Sequence, residues 1–168
     1  MNKNSHIFIA GGSGLVGRAI VKNLQENGFS SLVYPTHEEL NLLNSKVVSD
    51  FFASEKPEYV IMAAARIGGI KANSTYPADF LRENLVIQDN VIWQAHLAGV
   101  KKLLFLGSNC VYPREAKQPI KEEYLMTGPF EPTNEGYAVA KTAGIKLCEK
   151  IFEQYNTSFI SCIPASIY

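Results

Sequence analysis

Ile7-Phe8-Ile9-Ala10-Gly11-Gly12-Ser13-Gly14-Leu15-Val16-Gly17 is the stretch that decides how this chain folds. Four apolar residues read as a buried strand and the glycines after them as a tight turn. Leu15, Ala19, Val21 and Leu24 then recur near the helical period until Asn27-Gly28 supplies a stop. Gly11, Gly14 and Gly17 stand at three-residue spacing. Glycine permits the tight turn, lets the backbone approach a pyrophosphate and allows close helix–strand packing, while the helix start offers unpaired N–H groups to the anion. Gly11, Gly14, Leu15, Val16 and Gly17 are therefore the candidate cradle for a dinucleotide, because strand, motif and helix follow in the required order.

Further strand-like runs at 31–34, 59–62, 102–106 and 158–163 join the first, at 6–10, with helix-like stretches between them. This alternation predicts an α/β fold: a Rossmann-type, doubly wound parallel sheet with helices on both faces. Val47, Phe51 and Phe52 mark a short amphipathic helix closed by Lys56-Pro57. Phe80, Leu81, Leu85, Ile87, Val91, Ile92 and Ala95 give a long helix over 77–97, ended by Gly99, and a further helix runs from about 134 to 155. Pro113, Pro119, Gly128, Pro129 and Pro132 break any period over 112–133, which reads as a long surface loop. At 168 residues the chain reads as one NAD(P)-binding domain, 1–168.

Sixteen basic residues balance sixteen acidic ones, so no overall field draws the chain to nucleic acid or anionic lipid, and neither is expected as a partner. Cys110, Cys148 and Cys162 are odd in number and widely spaced, which fits reduced thiols and neither a disulfide framework nor a metal site. The first apolar run is too short for a signal-peptide core, and 59–65 is too short to span a bilayer. The expectation is a soluble, cytoplasmic protein without metal.

Tyr137 and Lys141, four residues apart on a predicted helix, share one face. A phenol is a poor base at neutral pH, and a nearby ammonium is expected to favour its ionised form. Ser108, at the end of a predicted strand, can hold a carbonyl beside it. The bland alternative is an aromatic packed on a lysine stem. Along an extended Ser108-Asn109-Cys110 the first and third side chains point one way, so Cys110 is expected to share the site, although a free cysteine is more often a small core residue. Cys148 and Cys162 are expected in the core, Trp93 in helix packing, and His6 and His96 in structural roles. After the second strand, Tyr34-Pro35-Thr36-His37 offers neither the acid nor the arginine that reads a ribose. Thr36 and Glu39 have capping-box spacing, and His37 can touch a phosphate.

Beyond these groups stand longer strings: Ala63-Ala-Ala-Arg-Ile-Gly-Gly-Ile70, Tyr76-Pro-Ala-Asp-Phe80, Lys102-Leu-Leu-Phe-Leu-Gly-Ser-Asn-Cys-Val-Tyr-Pro113 and Glu131-Pro-Thr-Asn-Glu-Gly-Tyr-Ala-Val-Ala-Lys141. With them the chain resembles the extended short-chain dehydrogenase/reductases, and among these the epimerase/reductases of GDP-4-keto-6-deoxymannose. The resemblance implies that Tyr137 donates the proton as hydride reaches C4, that Lys141 holds the nicotinamide ribose, that Ser108 binds the C4 oxygen and that Cys110 removes protons at C3 and C5. It also implies NADP rather than NAD as cofactor, with His37, Asn41, Leu42, Ala63 and Ala64 added to the binding residues. A nucleotide-sugar substrate and a homodimer formed through helix 77–97 complete the picture. A 4-reductase or epimerase of another nucleotide sugar, such as a GDP-4-keto-6-deoxyheptose, or a non-catalytic dinucleotide-binding fragment, are the alternatives.

The chain also departs from that pattern. Ser13 and His37 stand where the resembled enzymes carry arginines for the 2′-phosphate, Asn109 replaces a serine, and Ser166 takes an asparagine's place. Gly136 replaces a proline and is expected to add backbone freedom ahead of the catalytic helix. The C-terminal region that binds the sugar, with its histidine acid, is expected to lie outside these 168 residues.

Overall fold

A computed structural model describes residues 1–165; the position of Ser166 lies outside them. Five strands, β1 (Ile7–Ala10), β2 (Leu32–Val33), β3 (Tyr59–Met62), β4 (Lys102–Leu106) and β5 (Ser158–Cys162), form one sheet in the order β2-β1-β3-β4-β5. Every pairing is parallel: Ile7 lies beside Leu32 on one flank and Tyr59 on the other, and Met62 beside Phe105. The helices are α1 (Leu15–Glu26), α2 (Ser45–Glu55), α3 (Ile70–Thr75), α4 (Pro77–Leu97) and α5 (Glu135–Tyr155). Among the described residues, no helix is long and apolar enough to cross a membrane.

Alternation along β1 divides the core. Ile7 and Ile9 pack with Val21 of α1, joined by Ile20 and Leu24. Phe8 and Ala10 face a larger cluster built from Val48 and Phe52 of α2, Val91, Ile92 and Ala95 of α4, and Ile145, Cys148 and Ile151 of α5. Helices cover both faces, as the Rossmann-type reading requires, but unequally: α1 serves one side and α2, α4 and α5 the other. This corrects the expectation for Cys162. Cys148 is buried, whereas on β5, an edge strand of the sheet among the described residues, Ile160 and Cys162 are both exposed.

Local chemistry sets the element ends. The Asn44 side chain caps α2 by accepting from the N–H groups of Lys46 (3.1 Å) and Val47 (3.2 Å). The second strand shrinks from the expected 31–34 to two residues, stopped before Pro35. No amphipathic period announced α3. Its six residues are held by polar bonds, with Asn73 donating to the carbonyls of Gly68 (2.8 Å) and Gly69 (3.2 Å). The 112–133 stretch is a loop as expected, with a 3-10 turn at Glu122–Tyr124 in its middle and another, Pro132–Asn134, at its end. Trp93 is not packed inside; it is 37% exposed and leans on His96, with ring centroids 5.3 Å apart.

Candidate active site

The strand order reverses between β1 and β3, and there, at the carboxyl ends of the strands, a cleft of about 620 Å³ opens. Gly11, Gly14, Leu15, Val16 and Gly17 line one end. Gly11 has φ +82, and a Cβ there would stand 2.7 Å from the Ala64 backbone; a Cβ on Gly17 would stand 2.0 Å from the Gly11 carbonyl oxygen. Both glycines are thus demanded by close backbone approach. No side chain caps the start of α1 and no acidic residue lies in its first turn, so its leading N–H groups remain for an anion. A pyrophosphate fits this cradle chemically.

Ala63, Ala64, His37 and Leu42 also line the cleft. Asn41 stands beside them, exposed, its Oδ1 accepting from the Leu43 N–H at 3.0 Å, which leaves its amide N–H groups open. Thr36 and Glu39 form the capping box, Glu39 Oε2 accepting from Thr36 N–H at 2.7 Å and Thr36 Oγ1 from Glu39 N–H at 3.4 Å, around a single turn and not a helix.

Ser108, Tyr137 and Lys141 line the other end of the same cleft. Lys141 is 3% exposed; its Nζ donates to the Leu106 carbonyl (2.8 Å) and lies 4.7 Å from the Phe105 ring centre and 5.9 Å from that of Tyr137. Burial lowers its pKa to about 8. The phenol differs from expectation. Burial, reinforced by Cys110, pushes Tyr137 up to about 12, and the adjacent Ser108 hydroxyl offsets this only in part. Desolvation therefore sets the phenol, and Tyr137 at rest holds its proton.

Ser108 and Cys110 come together by a route other than strand alternation: Asn109–Val111 is a 3-10 turn, entered from an extended Ser108. Cys110 is half-buried and is not part of the cleft lining. Its thiol is pushed up by burial, against the Ser108 hydroxyl and the charge of Lys141. A depressed thiol, the usual mark of a reactive cysteine, is not what this environment produces.

Sequence reasoning missed a supporting layer on α4. Asn84 accepts from the Arg66 N–H (2.9 Å) and donates to the carbonyls of Arg66 (3.0 Å) and Phe80 (2.7 Å), fixing the segment after β3. Arg66 lines the cleft and pairs with Glu83 at 2.5 Å. Gln88 donates to the Ala140 carbonyl at 2.6 Å, inside the helix that carries Tyr137 and Lys141. The signal was available: Asn84 and Gln88 continue the stripe of Phe80, Val91 and Ala95, and polar residues on a core stripe need buried partners. Gly136 does not loosen the chain as expected. It lies within α5, where a Cβ would stand 2.7 Å from the Pro77 carbonyl oxygen, so it permits close contact with α4.

Residues 7–168 match the family described as NAD dependent epimerase/dehydratase. The chain belongs to that family. It is 56% identical over 167 residues to GDP-L-fucose synthase 1 of Arabidopsis thaliana, covering 99% of this chain and 52% of the relative. It is 54% identical over 162 residues to GDP-L-fucose synthase of Escherichia coli (strain K12), covering 96% and 50%. Among solved structures it superposes on MlghC, a GDP-mannoheptose C4 reductase from Campylobacter jejuni with NADP bound, with TM-score 0.97 and 47% identity, covering 100% of this chain and 53% of the other. The chain spans about half the length of the curated relatives it matches.

Proposed function

We propose that residues 1–168 form the cofactor-binding domain of an NADP-dependent epimerase/reductase that converts GDP-4-keto-6-deoxymannose to GDP-L-fucose. One observation carries this reading: Ser108, Tyr137 and Lys141 open onto the same cleft as the Gly11-Gly14-Gly17 turn. Gly11, Gly14, Leu15, Val16, Gly17, His37, Leu42, Ala63 and Ala64 would hold the dinucleotide, with Lys141 at its nicotinamide ribose. Bound in the reduced state, that cofactor supplies hydride for C4. Tyr137, protonated at rest, gives its proton to the C4 oxygen, and Ser108 holds that oxygen by hydrogen bonding as charge develops on it. Lys141 carries its charge near neutral pH and favours the phenolate left behind. Cys110 acts beside the ketone at C3 and C5, where the carbonyl acidifies the C–H bonds. A homodimer working in the cytoplasm belongs to the same proposal.

The raised thiol of Cys110 favours a second reading, in which the site reduces C4 without moving protons at C3 or C5. Likeness to a GDP-mannoheptose C4 reductase supports it. Turnover in deuterium oxide separates the two, run on this chain and on any longer reading frame that contains it. Deuterium at C3 and C5 of the product supports the epimerase/reductase, and product without it supports reduction alone. Binding of NADP with no sugar-dependent oxidation of NADPH in the longer frame would refute both.

A further inference from the structure

Given the dinucleotide reading above, on which this rests, the ribose end of the cleft decides which dinucleotide it prefers. Ser13, Pro35, Thr36 and His37 line the cleft at its end away from Tyr137, beyond β2, where the adenosine ribose of a dinucleotide sits in such folds. No arginine follows β2 to meet a 2′-phosphate. The local carboxylates work against one. Glu39 is engaged by the Thr36 N–H, and backbone and Thr36 hydrogen bonds hold Glu38 below the usual carboxylate range, so it stays charged.

A cation arrives from another direction. Arg18, in the opening turns of α1, folds back so that its Nη1 donates to the Ser13 carbonyl at 2.8 Å. Arg18 is not itself part of the cleft lining; that bond ties its guanidinium to the backbone of Ser13, which is. A guanidinium has five N–H donors in a fixed fork, and this contact uses one of them. Among the described residues no carboxylate pairs with Arg18. The side chain is exposed, so its remaining donors are open to a ligand. Forked recognition of phosphate is what this group does best.

We propose that Arg18, anchored on Ser13 and joined by His37, selects NADP over NAD by binding the 2′-phosphate. Arg18 thereby supplies the charge that Ser13 and His37 alone do not.

Titration calorimetry of the wild type, Arg18→Ala and Arg18→Lys tests this with four ligands: NADP, NAD, adenosine 2′,5′-bisphosphate and AMP. Arg18→Ala is expected to weaken NADP and the bisphosphate about tenfold, more at low salt, while NAD and AMP bind as before. Arg18→Lys is expected to recover part of the loss. Equal weakening of NADP and NAD, or no change in either, overturns the assignment while leaving the dinucleotide site intact. A wild type that binds neither dinucleotide overturns the underlying reading together with it. Unchanged thermal melting of Arg18→Ala is expected from its exposure, and it separates loss of the phosphate contact from loss of fold.

Discussion

Replacing Lys141 with methionine should remove a gain in stability that the protein otherwise makes as pH rises from about 8 to 10.5. The lysine is 3% exposed, and burial holds its pKa near 8 in the fold against an ordinary 10.5. Below the lower value both folded and unfolded chains carry the charge, and the whole cost of burying it is present. Between the two values the folded chain gives up its proton first, the unfolded chain binds more protons, and stability therefore climbs with pH. At about 1.4 kcal/mol per pH unit, the full climb is roughly 3 kcal/mol. Other groups pull the opposite way. Cys110, Tyr137 and Cys148 keep their protons longer in the fold than outside it, as do the exposed, ion-paired Lys101 and Lys150. The quantity to measure is hence the difference between wild type and Lys141→Met in urea unfolding across that range. Methionine also strips the Leu106 carbonyl of its donor, a loss of about 1–3 kcal/mol that offsets the curve without sloping it. A difference that stays flat across the range would refute the argument from burial.

Three further outcomes follow from the same geometry. Gly17→Ala places a methyl 2.0 Å from a backbone oxygen with no flexible side chain to yield, so the turn must open. The expected loss is about 1–3 kcal/mol of stability together with dinucleotide affinity, read by melting and calorimetry, and wild-type affinity would contradict the cradle. Tyr137→Phe should keep cofactor affinity yet lower sugar-dependent NADPH oxidation by about 10²–10⁴-fold, and unchanged turnover would remove Tyr137 as proton donor. Phe105→Ala should cost about 3–5 kcal/mol in urea unfolding, because the ring is wholly buried between Gly144 and the Lys141 ammonium.

The sheet was legible where an apolar run met a breaker. The 59–62 and 102–106 runs became β3 and β4 to the residue, and the long helix over 77–97 became α4 with both ends in place. The glycine turn was legible for a different reason: its residues answer to backbone clashes that no other amino acid escapes. Prediction failed where a property depends on what lies across space. Whether Tyr137 would be lowered turned on how deeply the fold buries the phenol and sets it beside Cys110, which the four-residue spacing to Lys141 does not tell. Cys162 looked apolar and strand-bound, but among the described residues β5 has a neighbour on one side alone and leaves it exposed.

The position of the phenol is governed by two absent side chains on its own helix. At Gly136 the helix lies against the Pro77 carbonyl, and at Gly144 a Cβ would come 2.4 Å from the Phe105 ring and 2.8 Å from the Gln88 amide oxygen. A single methyl at either place would lift α5 like a shim under a lever, carrying Tyr137 and Lys141 off Ser108 without altering one reacting atom. Misplacements on the order of 1 Å are worth roughly a hundredfold in rate. On the proposed function, tolerance to substitution should accordingly be narrow at two positions outside the cleft lining.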